Sequence, residues 1–421
     1  MIRTQIRRYV AVFTVSLLVA PFGIFADGFR NPPESASALG RIGGKHADVD
    51  DPSAATINPA NLAYMEDSAA SLSVTIADSS GEFRSAGGGP REETDNSIGF
   101  LPSAFGVMPL GGGDYVLGIG LTVPFGRASK WDDTASFAAT SPYFAELAVI
   151  NLNPSIATRV GENMAVAGGV SLYYSEIEFK QRYPWAALTG VGTDPLGDAR
   201  FEGDGQAVGF NFAWTWHVAD GQVLALIYKS SFDVEYDGNF TVTDLPAAAA
   251  AAGASSRSSF SSEIKFPTII SLGYSIQVCD SVRLAFDVDW LEHSRNSEIP
   301  VDIGSNSLLL PSPVIPQDWN DNWAYGFGLE WDYTEDWDLR AGCIYLETPN
   351  PTSTFIPVAL EQDVPVISIG AGYERDGHSF DISYAIGLYE ARTVSDNVNP
   401  AVNGEYEIES QLLAVAYSRD L

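Results

Sequence analysis

Between Val282 and Trp290 the chain reads Val-Arg-Leu-Ala-Phe-Asp-Val-Asp-Trp, with a large apolar residue at every second position and charged or small residues between them. Trp323, Tyr325, Phe327, Leu329 and Trp331 alternate in the same way with Ala324, Gly326, Gly328 and Glu330. So do Trp337, Leu339, Ala341, Cys343 and Tyr345 with Asp338, Arg340, Gly342 and Ile344. Phe380, Ile382, Tyr384, Ile386 and Leu388 do so with Asp381, Ser383, Ala385 and Gly387. A period of two sorts residues onto the two faces of a strand, which a helix cannot do. In a soluble sandwich the apolar face would be the core. Here the opposite face carries many Gly, Ala and Ser, which suits a crowded interior, and each run has about the 9–11 residues of a tilted membrane strand. The apolar face, with Trp323, Phe327, Leu329, Ile382 and Ile386, is therefore expected to meet lipid.

Fourteen such runs lie near 69–78, 98–109, 114–123, 144–159, 164–179, 205–217, 222–236, 258–276, 282–293, 321–333, 337–347, 364–374, 379–390 and 405–418. An even number is what single-chain bacterial barrels require. The connections alternate in length. Short ones, such as Leu110 to Gly113, Gly161 to Asn163 and Arg375 to His378, separate long ones at 79–97, 124–143, 180–204, 237–257, 294–320, 348–363 and 391–404. Consecutive hairpins put all the short turns at one end and all the long loops at the other, the periplasmic and extracellular ends of an outer-membrane barrel. The expected fold is all-β: a fourteen-stranded antiparallel transmembrane β-barrel spanning 67–421.

The N-terminus agrees with export. Arg3, Arg7 and Arg8 precede an apolar run from Tyr9 to Phe25, interrupted at Pro21 and Gly23, and small Ala26 precedes Asp27. That order predicts a signal peptide over 1–26, cleaved after Ala26. The run is broken before the roughly 20 apolar residues of a membrane helix. The chain carries 23 Lys and Arg against 54 Asp and Glu, net −31, and loses three arginines and no acid with residues 1–26. Phosphate neutralisation needs a basic surface, so a nucleic-acid partner is excluded. The acidic excess fits a solvated lumen and loops, and 9 Trp, 18 Tyr and 22 Phe are enough for interfacial girdles. Cys279 lies beside a turn and Cys343 mid-strand, roughly 15–20 Å apart in height at ~3.3 Å per residue, so two free thiols are expected.

Residues 27–66 have no period-two pattern and read as either a disordered tail or a plug inside the lumen. They contain Gly28-Phe29, Ser35-Ala36-Ser37, Leu39-Gly40-Arg41, Asp50-Asp51-Pro52-Ser53 and Asn58-Pro59-Ala60. Further along come Asn153-Pro154-Ser155-Ile156-Ala157, Gly203-Asp204, Tyr228-Lys229-Ser230, Phe266-Pro267, Trp290, Leu339-Arg340-Ala341-Gly342 and Pro349. In this order the motifs resemble those of the FadL-like long-chain fatty acid and hydrophobic-compound transporters of the outer membrane. The resemblance implies an N-terminal hatch at 27–66 closing the barrel. It also implies passive uptake of a hydrophobic small molecule: capture at an apolar groove between extracellular loops, passage to a lumenal pocket, and lateral release to membrane lipid where the third strand kinks. The barrel-assembly machinery would read the last strand, in which Leu421 stands where an aromatic residue is usual, with Tyr417, Val415 and Leu413 at the same parity.

Site residues follow from that resemblance. Asn58, Pro59 and Ala60 are expected to hold the hatch at the interrupted third strand, and Gly118 and Gly120 to permit its kink. Tyr183, Trp185, Leu188, Val191 and Leu196 in the loop at 180–204, with Leu245 and Ala247 to Ala252 in the loop at 237–257, offer a capture groove. Two loops packing on each other as a lid is the alternative. Where fatty acid members place lumenal arginine after the tyrosine of the fifth strand, this chain has Glu176 and Glu178 after Tyr173-Tyr174. Arg283 and Arg340 stand at lumenal parity as anion candidates, unless they pair with Asp287, Asp289, Asp338 or Glu330. The substrate is thus a fatty acid or a neutral hydrocarbon or aromatic compound. His46, His217, His293 and His378 form no HExxH or metal spacing, and the glycine runs at 87–89 and 111–113 follow no strand-to-helix pattern. No enzyme, metal or cofactor is expected, and the chain is expected to be a monomer. A general aqueous porin or a surface adhesin are the competing functions.

Overall fold

The computed structural model describes residues 27–95, 97–304 and 314–421; the expected signal segment 1–26 lies outside them. Fourteen strands make up the wall. They are β1 (Ala69–Ser85), β2 (Ser97–Leu110), β3 (Tyr115–Lys130), β4 (Phe144–Val160), β5 (Met164–Pro184), β6 (Leu196–Ala219), and β7, in two pieces (Gln222–Lys229 and Phe232–Val242). The wall continues with β8, also in two pieces (Arg257–Phe266 and Ile269–Cys279), β9 (Val282–Leu291), β10 (Asn322–Asp332), β11 (Trp337–Leu346), β12 (Val364–Arg375), β13 (His378–Gly387) and β14 (Gly404–Asp420). Each pairs antiparallel with the next, and β14 pairs with β1 from Ala69↔Asp420 to Ser85↔Gly404, which closes the barrel. Closure leaves no unpaired edge along the wall, the condition for strands to sit in hydrocarbon.

All fourteen expected strands are present, but many run further toward the long loops. The sequence reading stopped where outward residues turn polar, whereas the strands continue above the bilayer. Along β6 the outward face changes from Asp198, Arg200, Glu202 and Asp204 to Val208, Phe210 and Phe212. Along β5 it changes from Val170, Leu172 and Tyr174 to Glu176 and Glu178. Glu178 binds Arg200 through two hydrogen bonds, at 2.8 and 2.9 Å. Tyr174 pairs with Gln206 at this boundary. Glu176 therefore faces outward, taking a hydrogen bond from Tyr174, and has no bearing on lumenal charge. At the short-turn end a second girdle of outward aromatics packs in pairs, Trp337 with Tyr373 and Phe380 with Tyr417, ring centroids 4.9 Å apart in each. Cys279 and Cys343 are free and exposed.

Two irregularities break the wall. At one height β7 is interrupted after Lys229 and β8 after Phe266, where Pro267 cannot donate to the ladder. The sequence reading had both strands continuous. In β3 the register with β4 slips between Thr122 and Phe125, across Val123-Pro124, for the same reason. Residues 27–66 lie inside this wall. Their short helices, α1 (Ala36–Gly40) and α2 (Ala54–Ile57), and the 3-10 turn Pro59–Tyr64 are buried against β12 and β13 on one side and β3 to β6 on the other. Backbone approaches backbone here: a Cβ on Gly43 would stand 2.6 Å from the Cα of Gly326, so both positions require glycine. The lumenal glycines that mark the alternation are thus the bed for this segment.

Candidate functional site

The N-terminal segment is held on its β9–β13 side by charge and short polar bonds. Asp287 accepts from the backbone of Lys45 at 2.7 Å and of His46 at 3.3 Å, and Asp289 meets His46 at 2.9 Å and Arg30 at 2.7 Å. Nearer the short turns, Arg41 pairs with Asp48 at 3.2 Å and Glu330 at 3.5 Å. Ser383 donates to the carbonyl of Ala36 at 2.6 Å and Ser368 to that of Gly40 at 3.0 Å. The two anion candidates are consumed in this network. Arg340 binds Glu330 and Asp338, both at 2.8 Å, and Asp381 at 2.6 Å, while Arg283 lies 3.4 Å from Asp48 and 3.5 Å from Glu330. Three close carboxylates leave the Arg340 guanidinium closed to a ligand, which corrects its assignment, while Arg283, a third exposed, shares its charge with Asp48 and Glu330 at longer range. Of the Arg283 partners, Glu330 was among the alternatives named from the sequence and Asp48, from the lumenal segment, was not.

On the opposite side the contacts are apolar. Ala55, Ala60, Leu62 and Ala63 pack with Val107, Val116, Ala157, Ala165, Ala167 and Ala213 of β2 to β6. Asn58, fully buried, donates from Nδ2 to the carbonyl of His46 at 2.8 Å, to Asn61 Oδ1 at 3.0 Å and to Thr215 of β6 at 2.9 Å. Its Oδ1 caps the following turn by accepting from Ala60 N at 3.2 Å, with Pro59 at the first turn position. The triplet thus knots the segment and ties it to β6, not to the interrupted third strand as expected. Gly118 and Gly120 make room and no kink. A side chain on Gly118 would meet Ser155 Oγ at 2.9 Å and Ala55 at 3.1 Å as well as Leu62, and one on Gly120 would meet Thr56.

The irregular part of β3 lies beyond them, and the segment reaches it by another route. Phe29 to Asn31 run beside it, joined by one antiparallel bridge at Arg30↔Phe125: Asn31 N donates to the carbonyl of Pro124 at 2.9 Å, its Nδ2 to that of Val123 at 2.8 Å, and Gly126 N to Phe29 O at 2.9 Å. Carbonyls turned out of the wall ladder by the slip are satisfied from the lumen. Pro124 was the readable signal for this position.

Above the segment lies a cavity with about 1120 Å³ of space not filled by atoms, part of it open to solvent. One wall is aromatic. Tyr173 stacks on Phe232 at 3.7 Å and Phe232 on Phe266 at 4.6 Å, with Phe125 at 5.1 Å from Phe266. Among the cavity's other lining residues are Asn151, Asn153, Asn211 and Lys229. The breaks in β7 and β8 frame it, so Tyr228-Lys229-Ser230 and Phe266-Pro267 of the sequence likeness fall on its rim. Among the described residues Lys229 has no carboxylate within ion-pair distance, unlike the lumenal arginines. The sequence reading gave it no role, although its parity with buried Ala225 and Ile227 pointed inward.

The loop residues divide. Tyr183 and Leu196 belong to the strand ends, and the connection is only 185–195. Trp185 is fully buried, donating to the carbonyl of Thr243 at 3.0 Å and packing against Tyr183 at 4.7 Å, and Leu245 packs on the same cluster. These three pack the two loops against each other. Leu188, Val191 and Leu196 are exposed. His293 is buried, its Nδ1 2.6 Å from Asn322 Oδ1. His217 lies edge-on to Tyr64, and His378 bonds the Tyr417 hydroxyl at 2.8 Å. Among the described residues no group of three His, Cys, Asp or Glu is placed to hold a metal.

Comparison with known proteins agrees with this geometry. The curated relatives include outer membrane protein P1 of Haemophilus influenzae, 23% identical over 98% of both chains, and the long-chain fatty acid transport protein of Salmonella typhi, 22% identical over 95% of this chain and 96% of that one. The crystal structure of a Pseudomonas aeruginosa FadL homologue shares the fold with a TM-score of 0.83 at 22% identity, covering 93% of this chain and 99% of that one. Residues 17–421 match the family described as outer membrane protein transport protein (OMPP1/FadL/TodX). The chain therefore belongs to this family of outer-membrane transport proteins, which are channels and not enzymes.

Proposed function

We propose that the chain admits amphiphilic hydrophobic molecules of the long-chain fatty acid class by diffusion, with residues 27–66 as the hatch. The observation that carries this reading is the pairing of Lys229 with the aromatic shelf of Tyr173, Phe232 and Phe125, backed by Phe266, at one cavity. An alkyl chain gains about 0.8 kcal/mol for each methylene it takes out of water, and a half-buried ammonium with no carboxylate within ion-pair distance favours an anionic head group over the more distant Glu34. The exposed Leu188, Val191 and Leu196 supply first contact outside, and the lid of Tyr183, Trp185 and Leu245 must part for entry. Exit is lateral, at the slipped ladder of β3, where Asn31 holds the carbonyls of Val123 and Pro124. The similar Salmonella typhi protein is a long-chain fatty acid transport protein, in keeping with this substrate class.

The test is uptake by cells carrying the protein as their only such transporter. Lys229→Gln is expected to lower accumulation of a labelled long-chain fatty acid by about tenfold or more, the loss of one charge-assisted bond, and to leave toluene uptake within about twofold. Equal loss of both cargoes, at equal surface abundance, would remove the head-group role and leave a path for neutral compounds.

A further inference from the structure

The start of the lumenal segment sits in a polar cage whose bonds are nearly complete. Asp27, 2% exposed, is held by Asn322 Nδ2 at 2.8 Å and by Arg30, and its carbonyl accepts from Arg30 N at 3.1 Å. Gly28 N donates to Glu361 Oε2 at 3.0 Å, and Gly28 O accepts from Arg127 at 2.7 Å. Arg127 and Arg392 also bind backbone carbonyls of the Glu361 loop.

Two buried acceptor atoms of this cage have no partner among the described residues. One is Glu361 Oε1, in a residue with no solvent exposure. The other is His293 Nε2, in a ring so close to Gly28 that an added Cβ there would stand 2.9 Å from its Cε1. The proton on that ring can be placed. Asn322 spends its Nδ2 donating to Asp27 and, at 2.8 Å, to the carbonyl of Glu347, so its Oδ1 is the acceptor facing His293 Nδ1. The hydrogen is then on Nδ1, and burial holds the ring below its ordinary pKa and neutral. Nε2 is a bare lone pair. Both orphans are acceptors, and they flank one dipeptide. An uncompensated buried acceptor costs about 1–3 kcal/mol, more for a carboxylate, so two side by side call for a donor.

We infer that the missing donor is the α-ammonium created at Asp27 by cleavage after Ala26, so that export processing itself completes the latch between the lumenal segment, β3 and the loop bearing Glu361. Hydrolysis of the Ala26–Asp27 bond by a signal peptidase consumes one water. It leaves a carboxylate on the released peptide and an ammonium on Asp27. That group brings three hydrogens and a positive charge to within one residue of the Gly28 N–H that Glu361 already holds. Until then burial pushes the Glu361 carboxyl up to about 7, against the pull of Arg127 and Arg392. The ammonium would keep it ionised. The uncleaved chain offers at the same place one neutral amide hydrogen, too little for both acceptors. The latch therefore closes only on processed protein.

The test uses the full barrel purified from membranes. Mass spectrometry of its N-terminus is expected to show Asp27 as the first residue. Trace acetylation with acetic anhydride is expected to modify this α-amine at least about tenfold more slowly in folded than in heat-unfolded protein. Its reaction should rise with pH about a midpoint at least one unit above the ordinary α-amine value of about 8. Glu361→Gln, which keeps shape and removes charge, is expected to restore most of the reactivity. A chain beginning elsewhere, an α-amine that reacts like an exposed terminus, or equal protection in Glu361→Gln would each overturn the inference. If Glu361→Gln does not yield folded barrel, the pH midpoint of the unaltered protein decides, an ordinary value counting against the latch.

Discussion

Three lumenal cations show how neighbours, more than residue type, decide what a side chain does. Arg283, Arg340 and Lys229 all stand at inward parity, yet the arginines are paired with Asp48, Glu330, Asp338 and Asp381 while Lys229 faces the cavity with no ion-pair partner among the described residues. Removing Arg340 leaves three carboxylates without their common cation. Arg340→Gln is expected to cost about 3–5 kcal/mol of stability, as for other broken buried pairs. It should lower the temperature at which the folded, fast-migrating band on a gel converts to the unfolded one. Fatty acid uptake per folded molecule should stay within about twofold. A selective loss of fatty acid uptake with unchanged unfolding would return Arg340 to the ligand site. Inward parity could be read from Leu339-Arg340-Ala341. Pairing with Glu330 and Asp338 was the stated alternative and is what forms, whereas Asp381 arrives from another strand and Asp48 from a segment with no periodicity, and neither was legible.

Among the elements, β3 shows where strand-level reading succeeds and where it stops. Its existence and facing were legible in the alternation. Its irregularity was assigned to Gly118 and Gly120, whereas the slip lies at Val123-Pro124 and the glycines receive Ala55, Thr56 and Leu62. Glycine in a strand signals either a bend or a close approach, and only the packed segment distinguishes the two. Proline, which removes a ladder donor, was the more informative residue. Gly118→Val would drive two methyl groups into the space of Leu62 and Ala55. The barrel is expected to assemble, since the wall ladder with β4 is intact at Gly118↔Ser155, but the segment should lift from β3. Planar-bilayer recordings should then show open, noisy conductance at least several-fold above that of the unaltered protein. Conductance identical to the unaltered barrel would mean that the segment does not seal against β3.

Over the whole molecule, the lumenal segment is attached by two unlike interfaces. Against β9 to β13 it is bound by ion pairs and short hydrogen bonds, which hold a fixed geometry. Against β2 to β6 it lies on alanines and valines with uncharged-acceptor hydrogen bonds only: Asn58 to Thr215, Arg159 to Ala63 O, Arg127 to Gly28 O, and those between Phe29 to Asn31 and β3. Apolar contact is non-directional, so this face can separate and reseat, while separation of the ionic face would strand charges such as Asp287 and Glu330. The slipped ladder of β3 lies on the apolar side, and the cavity reaches it, lined by Pro124 and Phe125 there and by Ile344 and Leu346 across the lumen. The segment should therefore hinge at β12 and β13 and open toward β3. Two engineered disulfides in a Cys279→Ser, Cys343→Ser background separate the sides. A Cβ on Gly40 would stand 2.7 Å from Ser383 Oγ, close to disulfide geometry, so Gly40→Cys with Ser383→Cys pins the hinge. Thr56→Cys with Gly120→Cys pins the opening face, where a Cβ on Gly120 would meet the Thr56 methyl. Oxidising the second pair is expected to cut fatty acid uptake about tenfold or more, with recovery on reduction, while oxidising the first leaves uptake within about twofold. Loss of uptake from the Gly40–Ser383 bridge alone would reverse the hinge, and full uptake through both bridges would mean that cargo passes a segment that stays in place.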